Sequence, residues 1–401
     1  MLNALTANRE ADICLASTLM HGWQYIDFWN PRTNTPVLAL EYLFGSRGVL
    51  IGRLMKLEAM YGVGKSSFMY YVYGCAQQSM NAWCYHAETE AAPAPTDFIA
   101  SFGVRPEDLM IQQPKSVEAL LEQIDKIICT IRGGFGGEMG ETGRMKKTTY
   151  TSPLDKDKES PIVMGVDSVS ALGLDDLVDI DVTDATKRGE IAKHARLLSG
   201  FLQNRILRFK ETQTLIMLAA QLKSNIQVTH MAGQKAETTI ADKPIGYHAT
   251  YILHMTGVKY VDQATGSNVG DKITLKTTKN KVSDKDHEVT MYLIRNHGFD
   301  LTHTDMDFMV SHPASPFADG EVKRYNGGVI CKPLSDKKFT SEDEFLQALY
   351  ANTDYLMSLR EKLRVRGFRF AFEAAYVPPE DVEEEQPANV METNQSGVLG
   401  A

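Results

Sequence analysis

The sequence predicts an α/β fold built on a mostly parallel sheet, and three observations predict it. Short apolar runs recur from Pro36 onward, separated by stretches with helical spacing. One run, residues 49–57 (VLIGRLMKL), leads through a small-residue turn into Gly64, Lys65 and Ser66 and then an aromatic segment (FMYYVYGCAQQ) long enough for a helix. Two further runs end on polar side chains: residues 162–168 (IVMGVDS) on Asp167-Ser168 and residues 214–221 (TLIMLAAQ) on Gln221. Ligands of such sheets gather at the carboxyl ends of the strands, so chemistry is expected at these termini.

Taken in order, residues 1–34 hold a short helical stretch and an aromatic cluster, Trp23, Tyr25, Phe28 and Trp29. A helix packed on its own domain is the ordinary reading. A partner-binding element is the alternative, because exposed aromatics anchor interfaces. The turn that follows has the layout of a P-loop. The backbone N–H groups of Gly62, Val63 and Gly64 and the helix N-terminus at Ser67 would surround phosphate oxygens; Lys65 would reach the β/γ-phosphates and Ser66 would ligate Mg²⁺. Ala59 stands where GxxxxGK[ST] has its first glycine. On that motif alone, nucleotide binding and a plain strand–turn–helix corner stand level.

Residues 81–86 (NAWCYH) read as a strand ending at Ala87 and Glu88. The HxE string at His86 and Glu88 has the look of a zinc deaminase, but no PCxxC accompanies it, which removes that reading. Residues 116–132 carry Val117, Leu120, Leu121, Ile124, Ile127, Ile128 and Ile131 on one helical face. Residues 133–160 are glycine-rich, then polar, and are expected to form a flexible surface insertion. A helix over residues 189–210 carries Lys193, Arg196, Arg205, Arg208 and Lys210, and residues 251–300 alternate like antiparallel hairpins. In 301–375 a loop-rich stretch precedes residues 341–364, where Ser341 and Glu344 form a capping-box signature. Arg360, Lys362, Arg364, Arg366 and Arg369 then make a basic cluster ahead of the tail, residues 376–401.

Length, 401 residues, suits two or three domains. The net charge of −9 is concentrated in that tail, where Glu380, Asp381, Glu383, Glu384, Glu385 and Glu392 meet no Lys or Arg. The remaining chain is close to neutral, so the acidic total does not exclude a nucleic-acid partner. No apolar run approaches the ~20 residues of a membrane span, and the N-terminus lacks a signal-peptide pattern. Five scattered cysteines without CxxC spacing point to a reducing, cytoplasmic setting and no zinc site.

Asp167, ending an apolar strand, is placed to orient Mg²⁺ opposite Ser66, and Glu88 to polarise a water for attack on the γ-phosphate. The order and spacing of these pieces resemble the RecA recombinase family, especially the UvsX-type recombinases of large bacteriophages, over about residues 35–300 and more loosely to 375. YHAETE with SFGVRPEDLMIQQPKSVEAL, VMGVDSVSAL, TLIMLAAQ and TTKNKV carry the resemblance. It implies a RecA-like P-loop ATPase core with a mostly parallel sheet (35–300), an N-terminal polymerisation segment (1–34) and a small α+β C-terminal domain (301–375) before a disordered acidic tail. It implies ATP with Mg²⁺, a catalytic Glu88, a γ-phosphate-sensing Gln221, and Lys279 and Lys281 reaching ATP held by the neighbouring filament subunit. Phe98 is the best match to the adenine-stacking aromatic.

The resemblance places two DNA-binding loops near residues 173–190 and 222–243, with contacts from Arg196, Lys223, Asn225, Met231, Lys235 and Lys243. Ile226 and Val228 join Met231 as side chains placed to wedge between bases. The first loop is acidic, with Asp175, Asp176, Asp179, Asp181 and Asp184, and the paired glycines expected after the second are missing. The implied activity is ATP-dependent filament formation on single-stranded DNA and strand exchange with homologous duplex DNA, in the host cytoplasm for a phage protein, with no membrane role. A hexameric helicase of the same fold, and a DNA-coating scaffold that barely turns ATP over, are the alternatives.

Overall fold

The computed structural model describes residues 24–90, 94–132, 160–174, 187–224, 237–238, 242–261, 266–318, 320–336 and 338–365. The described residues open with β1 (Tyr25–Asp27), β2 (Trp29–Asn30) and β3 (Thr35–Pro36), then a helix, Leu38–Phe44, and β4 (Gly48–Leu50). The central strands are β5 (Leu54–Ala59), β6 (Trp83–Glu88), β7 (Leu109–Gln112), β8 (Ile162–Asp167) and β9 (Thr214–Gln221). After the short β10 (Lys223–Ser224) and β11 (Glu237–Thr238) come β12 (Tyr251–Val261), β13 (Asn268–Asn280), β14 (Glu288–Ile294) and β15 (Gly298–Phe299). A last hairpin pairs β16 (Val322–Tyr325) with β17 (Gly328–Cys331).

Nine strands form one sheet in the order β15-β14-β13-β12-β5-β9-β8-β6-β7. From β12 to β7 every neighbouring pair is parallel. From β12 to β15 every pair is antiparallel, as the alternation over residues 251–300 predicts. The fold is thus α/β with a large, mostly parallel sheet.

Strand alternation feeds two apolar layers, one on each face. Met55, Leu57 and Ala59 of β5 share a core with Phe68, Met69 and Val72 of the helix Lys65–Met80; Leu54 faces the other way. That second layer takes Val117, Leu120, Ile124 and Ile128 of the helix Val117–Arg132, with Leu198, Leu202 and Phe209 of the helix Lys187–Glu211. The first layer extends through Leu301 and Met306 to Phe345, Leu359 and Leu363. Phe28 is fully buried and stacks on Tyr71 with ring centroids 6.1 Å apart, so this aromatic packs within its own chain.

Two segments differ from their sequence reading. Residues 49–57 are two strands, because Gly52 takes φ +72° and a Cβ there would lie 2.8 Å from the Lys210 Cα. Residues 341–364 are two helices, Glu342–Ala351 and Thr353–Val365. Asn352 separates them by accepting a hydrogen bond from Tyr355 N (3.1 Å), a cap that starts the second helix. Half of the predicted capping box forms: Ser341 Oγ accepts from Glu344 N at 3.1 Å, but the Glu344 carboxylate accepts from Thr340 N, one residue before the cap.

Candidate active site

The parallel register lines up four strand ends that are far apart in sequence. Ala59 at the end of β5 pairs with Gln221 at the end of β9. β8 lies next, and its terminal Asp167 pairs with Glu88, the last residue of β6. The loop after Ala59 turns on Gly62 (φ +73°) and Gly64 (φ +93°), conformations that residues with a Cβ rarely adopt. At Gly64 a Cβ would also meet Ile273 Cδ1 at 2.6 Å. The loop then enters the helix Lys65–Met80, whose first free N–H groups and dipole favour an anion at this point. Val63 packs against the first core layer, and Ser67 is buried behind the loop.

Lys65 is buried, and its Nζ donates to Met60 O at 3.0 Å and Ala59 O at 3.4 Å. Burial pushes its pKa down, opposed by the charges of Asp167 and Glu90. Ser66 Oγ donates to Asp167 Oδ2. A hydroxyl and a carboxylate, side by side at the mouth of a phosphate loop, form the hard oxygen donor set that Mg²⁺ takes, which uses few protein ligands beside phosphates and water.

Glu88 is buried at the same edge. Its Oε1 accepts from Glu90 N at 2.8 Å, and its Oε2 lies 3.8 Å from His86 Nε2. Burial pushes this carboxyl up, but His86 and the Glu90 N–H outweigh it and hold Glu88 below the usual carboxylate value. A charged, oriented carboxylate beside a phosphate loop can take a proton from water. Thr89, which the sequence reading passed over, ties the two acidic strand ends together. Its N donates to Asp167 O (2.8 Å), its Oγ1 donates to Ser168 O (2.8 Å), and Ser168 N donates back to that Oγ1 (2.8 Å).

Lys279 and Lys281 do not join this edge; β12 stands between their strand and β5. Both ammonium groups reach the last turn of the helix Asp242–His248. Lys279 Nζ donates to Gly246 O (2.6 Å) and Tyr247 O (3.1 Å), and Lys281 Nζ to Tyr247 O (3.4 Å). The two ammonium groups thus meet at one carbonyl, Tyr247 O. Burial and then the neighbouring Lys281 lower the Lys279 pKa. Phe98 is half-buried, edge-on to Phe102 (5.1 Å) and to Tyr70 (6.4 Å) of the phosphate-loop helix. Arg196 is exposed on the helix Lys187–Glu211. The basic character expected of that helix is partly spent elsewhere: Arg205 makes a two-pronged ion pair with Asp125, with Nε 3.0 Å and Nη2 2.9 Å away. Arg360, assigned by sequence to a basic cluster, is instead held by Glu41. For Lys223 and Lys243 only the backbone is described; Asn225, Met231 and Lys235 lie outside the described residues.

Residues 157–300 match the family model described as the RecA N-terminal domain, a stretch running from β8 through β15. Over these residues the chain is similar to that domain. Protein RecA of Pseudomonas fluorescens is 25% identical over 358 residues, covering 88% of this chain and 88% of that protein. Protein RecA of Streptococcus mutans is 24% identical over 269 residues, covering 66% of this chain and 60% of its own length. That of Laribacter hongkongensis is 25% identical over 250 residues, covering 62% and 60%. The RecA match includes Asp167, Gln221, Lys279 and Lys281; the longer RecA alignments extend beyond it.

Proposed function

We propose that this protein is a DNA-dependent ATPase of the recombinase kind, most like the UvsX-type proteins of large phages, which polymerises on single-stranded DNA and exchanges strands with homologous duplex. The observation that carries the reading is the single sheet edge on which the phosphate loop, Gln221, Asp167 and Glu88 stand in a row. The similarity to RecA proteins of bacteria supports the DNA part.

In this reading the triphosphate lies along residues 62–67 with its base on Phe98. Ser66 and Asp167 would hold Mg²⁺, which would supply neutralising charge at the phosphates. Lys65 exchanges the neutral carbonyls of Met60 and Ala59 for charged phosphate oxygens, which make stronger hydrogen bonds. Glu88 takes a proton from the attacking water as the new P–O bond forms and the bridging oxygen leaves. Gln221 begins the segment 222–243 and passes the loss of γ-phosphate to it. Arg196, with Lys223, Asn225, Met231, Lys235 and Lys243, contacts DNA. Lys279 and Lys281 serve the ATP of the adjacent subunit, and residues 1–34 dock on that neighbour's core. In a phage the setting is the host cytoplasm; among the described residues no helix is long and apolar enough to cross a membrane.

Electron microscopy with ATP and single-stranded DNA tests the reading directly. A helical filament is expected. Closed rings favour a helicase of the same fold, and coated DNA without DNA-stimulated turnover favours a passive scaffold.

A further inference from the structure

Behind Glu88, on the sheet side, sits a histidine that the reaction as described does not use. His86 is fully buried, two residues before Glu88 on β6, and its Nε2 has no hydrogen-bond partner. That atom faces Glu88 Oε2 at 3.8 Å, while the other carboxylate oxygen is fixed by the Glu90 N–H. On the far side of the ring, Nδ1 lies 3.2 Å from the Tyr73 hydroxyl, whose single proton can go either to Nδ1 or to Tyr85 O, 3.0 Å away. The space for that hydroxyl comes from Gly165, the register partner of His86 on β8, where a Cβ would fall 2.0 Å from the Tyr73 oxygen. Tyr73 belongs to the phosphate-loop helix. A buried line therefore runs from that helix through Tyr73 and His86 to Glu88.

The chemistry of the two neighbours assigns the proton. An ionised carboxylate only accepts, so the nitrogen facing Glu88 is the one that carries N–H. Nδ1 of that tautomer is an acceptor, so the one Tyr73 O–H proton goes to Nδ1 rather than to Tyr85 O. At 3.8 Å the Nε2–H contact is electrostatic and becomes a hydrogen bond only if the carboxylate turns toward it.

We infer that His86 is the positioning residue for Glu88: its Nε2–H, backed by Tyr73, keeps the carboxylate turned toward the attacking water. This rests on the reading of Glu88 as the base, and it extends the pattern in which a third group orients a catalytic base.

The experiment compares two amides at position 86. An asparagine amide reaches the Nδ1 position and keeps the Tyr73 contact; a glutamine amide reaches the Nε2 position and keeps a donor for Glu88. His86→Asn is expected to lower DNA-stimulated ATP turnover at least about tenfold with KM for ATP changed less than about twofold. His86→Gln is expected to stay within about threefold of wild type. Adding His86→Asn to Glu88→Gln should lower turnover no further, because the group it positions is already gone. Thermal melts confirm that each variant folds. Tyr73→Phe, which keeps the ring and removes only the hydroxyl, is the gentler variant and should lower kcat severalfold at constant KM. Unchanged kcat in both His86→Asn and Tyr73→Phe overturns the inference, as does an equal loss in the Asn and Gln variants. Unchanged turnover in Glu88→Gln alone instead removes the reading of Glu88 on which it rests.

Discussion

At the scale of single residues, the reactive end of the molecule depends on which carboxylates are charged. Glu88 stays charged despite burial because of His86 and the Glu90 N–H. Glu88→Gln keeps the shape and the contact with Glu90 N but removes the proposed base. It should bind ATP normally and slow hydrolysis by roughly 10²–10⁴-fold, read from turnover beside an equilibrium nucleotide titration. Turnover at the wild-type rate would move the base elsewhere, with Glu90 first to be tried.

Asp305 shows the opposite balance. It is fully buried and accepts from Ala39 N (2.9 Å), Leu38 N (3.2 Å) and Tyr350 Oη (2.9 Å), thereby capping a helix 266 residues away. Burial pushes its pKa up to about 7, with those three donors only partly offsetting the rise. The folded chain thus binds this proton more tightly than the unfolded chain, whose carboxyl titrates near about 3.9. Its contribution to stability is complete below that value and is lost as pH rises through about 7. Urea midpoints should therefore fall between about pH 4 and pH 7, and Asp305→Asn should flatten that slope while costing about 1–3 kcal/mol overall. A slope equal in both proteins would assign the pH dependence to other groups.

Among these residues, Lys65, Ser66, Asp167 and Glu88 were legible because motif and strand end coincide in sequence. His86 was read only as half of an absent zinc motif, and Thr89 and Asp305 carried no signal. Their partners, Tyr73, Ser168 and the helix at Leu38, are brought to them by tertiary contact alone.

At the scale of elements, strand 214–221 is legible to the residue and the run 162–168 to within one residue of strand 162–167, because each is a mostly apolar run buried on both faces. The break at Gly52 and the division at Asn352 were not legible. One depends on the close approach of Lys210 and the other on a side chain capping the next helix rather than continuing its own. The predicted insertion, 133–160, lies almost wholly outside the described residues, but its two ends are fastened together. Arg132, fully buried at the end of its helix, donates from Nη2 to Ser160 O (2.6 Å) and from Nε to Thr212 O (3.0 Å). With the ends so held, replacing residues 133–159 by a link of about six residues should leave turnover within about twofold and stability unharmed. Arg132→Leu, by contrast, should cost about 3 kcal/mol in chemical denaturation. A deletion that unfolds the core would show that the segment contributes to it.

At the scale of the whole molecule, the parallel order β5-β9-β8-β6 makes one active edge from residues 59 to 221, while β12 and β13 carry Lys279 and Lys281 away from it. Two lysines on one helix end, with their own nucleotide edge on the other side of β12, suit action in trans. Alanine at both should leave folding and nucleotide binding intact and abolish DNA-stimulated hydrolysis, since charge developing on the γ-phosphate loses its partner. Mixing that double variant with Lys65→Ala protein should restore part of the activity, because mixed interfaces contain one intact half from each. No recovery at any ratio, with mixed filaments confirmed, would place the lysines' action within their own subunit.

The most direct test of the recombinase reading is strand exchange itself: single-stranded DNA coated with this protein, ATP and Mg²⁺, offered a homologous or a non-homologous duplex. Joint molecules should appear with the homologous duplex only, depend on ATP, and disappear in Lys65→Ala. ATP hydrolysis stimulated by DNA with no joint molecules under any nucleotide condition would contradict it, and would leave a motor or a coating protein on the same fold.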